Sequence, residues 1–255
     1  MGTILKIDDV SKNFAGLKAL QNISLEIMDD EIFGLIGPNG AGKTTLFNVV
    51  SGFSAPSSGK VYFNNEDSTQ KSTTDYSKNG LSRTFQNIRV FGDMTVIENL
   101  KVGMHNTIKT DLFSILMGNK KEKAEEKKAE EKGYEILKFL GIEKFANEYA
   151  GSLPYGHQRL VEIGRALASD PKLIMLDEPS AGMNEQETME LMELIKRIRK
   201  RGPAVIVIEH NMKFMMSLCD RIAVLNFGKL LLVGETNVVQ QDPKVVEAYL
   251  GKEEN

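Results

Sequence analysis

Eight consecutive residues, Gly37-Pro38-Asn39-Gly40-Ala41-Gly42-Lys43-Thr44, match the spacing G-x-x-x-x-G-K-[ST]. The chemistry this spacing suits is the holding of a phosphate chain. Glycines let the backbone approach anionic oxygens, and its N–H groups, with the positive end of a following helix, form an anion cradle. Lys43 should reach the β- and γ-phosphates and the Thr44 hydroxyl should bind Mg²⁺, with Thr45 continuing the cradle.

Phosphoryl transfer also needs a carboxylate to hold metal and a group to orient water. Leu173-Ile174-Met175-Leu176-Asp177-Glu178 offers both at the end of an apolar run: Asp177 toward Mg²⁺, Glu178 as the base for the attacking water. Taken alone, two acids there could equally cap a helix. His210 follows a second apolar run and Glu209, a position from which it could contact the γ-phosphate, although a lone histidine is more often a packed or surface residue. Gln86, in Thr84-Phe85-Gln86, carries less on its own, since glutamine is usually a surface residue.

These residues need elements to place them. Ile32–Ile36, Leu173–Leu176 and Ala204–Ile208 are rich in branched apolar residues without polar alternation, the pattern of strands buried on both faces of a parallel sheet. Between the last two, Glu187–Lys200 sets Leu191, Met192, Leu194, Ile195 and Ile198 at helical spacing, which predicts an amphipathic crossover helix. The expected fold is α/β. The first 30 residues and Lys60–Phe63 alternate more and carry turn residues, predicting a small antiparallel sheet against the core. Asn99 to Ala150 reads as an inserted helical sub-domain, its charged tract Lys120–Lys132 being a solvated helix with pairs such as Lys121 and Glu125 or Lys127 and Glu131 one turn apart. One domain is expected over 1–255, with 1–86 and 151–255 forming the catalytic core and 87–150 the helical part and adjoining loop.

A net charge of −3 gives no electrostatic reason to expect nucleic acid as a partner. The single cysteine, Cys219, cannot form an internal disulfide and fits a reducing compartment. The N-terminus lacks a secretory pattern, and no apolar run approaches the roughly 20 residues of a membrane-spanning helix.

In order along the chain, the P-loop, Gln86, the helical insert, Leu153-Pro154-Tyr155-Gly156-His157-Gln158-Arg159, Asp177-Glu178, Ser180-Ala181-Gly182 and His210 resemble the nucleotide-binding subunits of ABC transporters. The resemblance implies a P-loop ATPase with ATP and Mg²⁺ as ligands, Gln86 sensing the metal beside Thr44 and Asp177, and Phe14 stacking on adenine. It implies integral membrane permease subunits as partners, an extracytoplasmic substrate-binding protein in the full system, and a peripheral place on the cytoplasmic face of the membrane. It also implies two ATPase subunits meeting head to tail, with ATP between one P-loop and the partner's Gly156 region. Pro154, Tyr155 and His157 depart from the common L-S-G-G-Q pattern, and Asn184 stands where aspartate is usual. A heterodimer with a related ATPase is therefore expected, with a homodimer as the alternative. Within the family, Leu153–Gly156, Ser180–Asn184, Asp111-Leu112-Phe113-Ser114 and the tail Asp242–Gly251 look most like the branched-chain amino-acid uptake ATPases of prokaryotes.

Two other classes compete. A P-loop kinase or GTPase would make Gln86, Gly156 and His210 coincidences, and no Asn-Lys-x-Asp guanine-reading motif is present. An ABC ATPase of DNA repair should carry a long coiled coil, yet sustained heptads are missing from Asn99 to Ala150. Translation members usually hold two cassettes in one chain.

Overall fold

The computed structural model describes residues 2–105 and 120–250. Two long strands, β1 (Thr3–Phe14) and β2 (Leu17–Met28), open the chain. β3 (Ile32–Ile36) and α1 (Lys43–Val50) follow, then β4 (Ser58–Phe63), β5 (Glu66–Asp67), α2 (Thr73–Lys78) and β6 (Leu81–Arg83). Next come α3 (Val96–Gly103), α4 (Lys120–Leu140), two single 3₁₀ turns and α5 (Tyr155–Ala168). The remainder is β7 (Leu173–Asp177), α6 (Glu185–Lys200), β8 (Ala204–Ile208), α7 (Met212–Leu218), β9 (Arg221–Asn226), β10 (Lys229–Glu235), α8 (Thr236–Gln241) and α9 (Pro243–Leu250).

The predicted α/β architecture is present. A four-stranded antiparallel sheet, ordered β2-β1-β4-β5, lies beside a six-stranded sheet ordered β10-β9-β3-β8-β7-β6. In the larger sheet β9, β3, β8, β7 and β6 run parallel and only the edge strand β10 is antiparallel. Every residue of β3, β7 and β8 is buried, as the unbroken apolar runs predict. Strand pleating then sends neighbours to opposite sides. Ile32, Ile36, Ile174, Leu176, Val205 and Val207 join one core with α3 to α7. Phe33, Leu35, Leu173, Met175, Ile206 and Ile208 join a second with β1, β2, β4 and α1. Each such side chain, fully buried, contributes about 1.5–3 kcal/mol.

The crossover helix α6 begins two residues before the predicted start because Asn184 caps it: its Oδ1 accepts from the Glu187 N–H at 2.9 Å, and Glu187 Oε2 accepts from the Asn184 N–H at 2.9 Å. The charged tract Lys120–Lys132 is the first part of α4, with Lys127 Nζ 3.7 Å from Glu131 Oε1. The side chain of Lys121, which the expected pair with Glu125 needs, the segment Asp111–Ser114 and Gly251 at the end of the tail lie outside the described residues or side chains. α3 packs on α4 and α5, so these helices share the core of the larger sheet. None of the described helices is long and apolar enough to cross a membrane. Strands β6, β9 and β10 carry no sequence expectation, and β6 matters because it leads to Gln86.

Candidate functional site

The candidate residues other than Phe14, which ends β1 in the smaller sheet, leave one edge of the larger sheet. β3 ends at Ile36 and enters the glycine loop; β7 ends at Asp177 before Glu178; β8 ends at Ile208 before Glu209 and His210; β6 ends at Arg83 before Gln86. These four strands are successive neighbours, and the register sets Ile208 opposite both Leu35 and Asp177. The carboxyl edge of an open α/β sheet is where such folds bind ligands.

The glycines are required by their surroundings. Gly37 has φ 154, and a Cβ there would lie 2.2 Å from the Leu225 carbonyl oxygen. Gly42 has φ 104, and its Cβ would lie 2.7 Å from the Ala19 carbonyl oxygen. The loop is thus wedged between β2 and the β9–β10 turn, where Gly228 donates to the Ala41 carbonyl at 3.0 Å. Gly42 is also the N-cap of α1 and supplies no side-chain acceptor, which leaves the first-turn N–H groups of Lys43, Thr44 and Thr45 to a ligand. Lys43 Nζ donates to the carbonyls of Gly37 (2.6 Å) and Pro38 (3.0 Å), and its burial lowers its pKa while the Glu178 charge opposes the shift.

A cavity of about 720 Å³ gathers Asn39, Gly40, Ala41, Gly42, Lys43, Thr44, Thr45, Gln86, Glu178 and His210. Glu178 is the hub. Its Oε2 accepts from Gln86 Nε2 at 2.9 Å, and its Oε1 lies 2.5 Å from His210 Nε2. Its φ of 45 is a left-handed conformation that costs an ordinary residue about 1–3 kcal/mol and recurs at functional sites. The neighbouring Glu209 does not point here; it accepts from the Ser180 N–H and hydroxyl at 2.9 and 2.6 Å.

Asp177, Gly37, Pro38 and Phe14 do not line the cavity. Asp177 is buried behind Glu178 with Oδ2 on Arg83 Nη2 at 3.0 Å, and burial raises its pKa despite that cation. Phe14 stands half-exposed at the end of β1 under Lys12 Nζ, 5.0 Å from the ring centroid, while Phe227, 81% exposed, occupies the cavity rim. The segment Leu153–Arg159 lies apart from the cavity: Pro154 is the N-cap of α5 and makes no side-chain cap.

Sequence reasoning missed three charged side chains that organise this edge. Arg83 ties Asp177 to α1. Arg159 and Glu162, one turn apart on α5 and both buried, hold the backbone of the Gln86 loop. The i, i+3 spacing of opposite charges was a visible signal for the second pair, but nothing local marked its burial.

The donor set fits a small hard cation. Mg²⁺ takes one or two carboxylates together with substrate phosphates and water, so Asp177, the Thr44 hydroxyl and the Gln86 amide oxygen suffice in type. Among the described residues there is no cluster of three or more His, Cys, Asp or Glu that could enclose a metal by itself.

The geometry is matched by likeness to known proteins. The family model described as ABC transporter matches residues 20–181. The high-affinity branched-chain amino acid transport ATP-binding protein LivG of Escherichia coli (strain K12) is 40% identical over 250 residues, 98% of each chain. Among solved structures, the ADP conformation of MJ1267, an ATP-binding cassette of an ABC transporter, superposes with a TM-score of 0.85 at 34% identity, covering 99% of this chain and 100% of that one. The dimeric post-hydrolysis state of the ATP-binding cassette MJ0796, bound to ADP and Pi, superposes with a TM-score of 0.77 at 25% identity over 91% and 98% of the two chains. A glycine loop at a helix start, an adjoining carboxylate hub and a likeness that spans nearly the whole chain converge: this chain belongs to the ATP-binding subunits of ABC transporters.

Proposed function

We propose that this chain hydrolyses Mg-ATP to drive uptake of branched-chain amino acids through separate permease subunits, from the cytoplasmic face of the membrane. The observation that carries the chemistry is Glu178, held on the cavity wall by Gln86 and His210 at 2.9 and 2.5 Å. The cargo is supported by the name of the 40% identical relative.

Lys43 and the first-turn N–H groups of α1 bind phosphate oxygens. Glu178 takes the proton of the attacking water, a contribution typically worth about 10²–10⁴ in rate. His210 and Gln86 orient that carboxylate. Thr44, Gln86 and Asp177 would hold Mg²⁺, which when bound neutralises charge on the phosphate oxygens. Phe14 is assigned to the adenine ring on the family resemblance.

A second ATPase subunit completes the site. The uncapped start of α5, with Gly156 in its first turn and away from this chain's own cavity, suits the phosphate of a facing subunit. The dimeric state of a relative bound to ADP and Pi supports an assembly of two such subunits. Because Pro154 removes a hydroxyl and an N–H there, a related ATPase with a standard signature is the preferred partner. The segment 87–150 is proposed as the sub-domain that meets the permease, supported by the exposed Phe91 and Val102 on a groove shared with Phe53. An extracytoplasmic binding protein would deliver the cargo.

The test is ATP hydrolysis with Mg²⁺ over a wide range of protein concentration, with E178Q as the blank. Specific activity that rises with concentration and vanishes in E178Q assigns the function to self-association; low, flat activity with tight ATP binding assigns it to a different partner. Hydrolysis by E178Q at the parent rate removes the base role, and failure to bind ATP removes the reading as a whole.

A further inference from the structure

Arg83 closes β6, and its side chain is only 7% exposed. Its guanidinium divides between two elements. Nη2 donates to Asp177 Oδ2 at 3.0 Å, on β7; Nη1 donates to Asn48 Oδ1 at 2.8 Å and to Ser51 Oγ at 2.9 Å, at the far end of α1. The rings of Phe47, Phe53 and Phe85 stand 5.3, 5.3 and 5.4 Å from the guanidinium carbon, so the plane is clamped by aromatic faces as well. Buried Nε has no hydrogen-bond partner among the described residues, which leaves the two terminal nitrogens to make every polar contact.

The two elements joined by this fork each carry a proposed metal-binding oxygen. Asn48 is one helical turn beyond Thr44 on α1, at the i, i+4 spacing that puts both on one face. Asp177 presents Oδ2 to the arginine, and no described residue engages Oδ1. A cation bridging a hydroxyl on α1 and a carboxylate on β7 needs the gap between the two elements fixed. A planar fork with both ends satisfied fixes it in a way a single flexible ammonium cannot.

We propose that Arg83 is a positioning residue that sets the spacing between Thr44 and the free oxygen of Asp177, and so the affinity of the site for its divalent cation. The inference rests on the reading of Asp177 as a metal-facing carboxylate. Hydrogen-bonded partners of metal-binding groups typically govern about 10- to 100-fold in metal affinity or activity.

The experiment is Mn²⁺ binding, read by electron paramagnetic resonance on the full chain with a non-hydrolysable ATP analogue, for R83M, R83K and the N48A/S51A double variant. Metal-free nucleotide affinity is measured alongside. All three should bind metal-free nucleotide like the parent. R83M should need about 10- to 100-fold more Mn²⁺, and its kcat should fall at limiting metal and recover toward the parent's as metal saturates, with little change in KM for ATP. R83K and N48A/S51A should show smaller shifts in the same direction, and they carry the test if R83M does not fold. Parent-like Mn²⁺ affinity in the folded variants, with only the melting temperature lowered, overturns the proposal and makes Arg83 a structural ion pair. D177N separates the two ideas: unchanged Mn²⁺ affinity in D177N removes the metal-facing reading itself, whereas a shift in D177N without one in the Arg83 variants removes only the inference.

Discussion

Arg159 Nη2 donates to the backbone carbonyl of Gln86 at 2.8 Å, so the helix that carries the Gly156 segment also holds the loop that reaches Glu178. Nη1 adds the Phe85 carbonyl at 2.6 Å and Glu162 Oε2 at 2.8 Å. Glu162 Oε1 accepts from the N–H groups of Phe85 and Arg89, both at 3.3 Å. With side chains 0% and 1% exposed, neither charge has solvent to fall back on. R159M leaves Glu162 buried and unpaired, which costs about 3–5 kcal/mol. In a chain of this size that lowers Tm on the order of 10 °C. R159M/E162L should recover much of the stability while leaving the Gln86 loop unheld and hydrolysis impaired. A melting curve for R159M that overlays the parent's would refute the buried-pair account.

His210 lines the cavity, and among the described residues its ring bonds there to Glu178 Oε1. Loss of a hydrogen bond to a charged group costs about 1.5–3 kcal/mol, equivalent to about 10- to 100-fold. H210A should therefore lower kcat by that factor and leave ATP affinity nearly unchanged. The E178Q/H210A double variant should be no slower than E178Q, since groups acting as a unit are not additive. Independent, multiplying losses in the double variant would mean that His210 acts on the phosphate directly.

What the sequence made legible was local. The glycine loop, Asp177-Glu178 and His210 each sit at the exit of a strand whose unbroken apolar composition announces burial, so their place on one edge follows from pattern alone. Arg83 lies 94 residues from Asp177, and the partners of Arg159 on the Gln86 loop lie 73 and 74 residues away. Burial of an arginine depends on what the fold brings to it, and no local spacing encodes that. Strand β6 was hidden for a related reason: three residues, Leu81-Ser82-Arg83, are too short for periodicity. Asn184, read from the family pattern as a departure, has a local role as a helix cap that the run Asn-Glu-Gln-Glu already contained.

Alkaline pH should destabilise the fold in two steps. Burial pushes the Cys219 thiol above its ordinary range, with the charges of Asp220 and Glu31 adding to the effect. Burial likewise raises the Tyr76 phenol, which donates to the Ser68 carbonyl at 3.0 Å, and Asp67 adds to it. Folded values above unfolded ones mean that the stability is fully present below the ordinary pKa and is lost as pH rises above it. Loss should begin near pH ~8.5 through Cys219 and steepen near pH ~10 through Tyr76, with up to ~1.4 kcal/mol per pH unit for each group. Urea unfolding from pH 8 to 10.5 measures the slope, and C219A should abolish its first step. A flat profile through pH ~9.5 contradicts the burial of the thiol.

The cap at Asn184 separates a fold requirement from a contact requirement. N184A removes the acceptor for the Glu187 N–H and should cost about 0.5–2 kcal/mol, a few degrees in Tm. Aspartate caps a helix as well as asparagine does, so N184D should match the parent's stability closely. If N184D is as stable as the parent, the aspartate that the family resemblance leads one to expect at this place answers to something outside the isolated chain, and the facing subunit is the candidate. An N184D chain with altered hydrolysis at unchanged Tm, assayed where specific activity depends on concentration, places the effect at the subunit contact. An N184D chain that melts early returns it to the helix start, and removes Asn184 from the reasons for expecting a different partner.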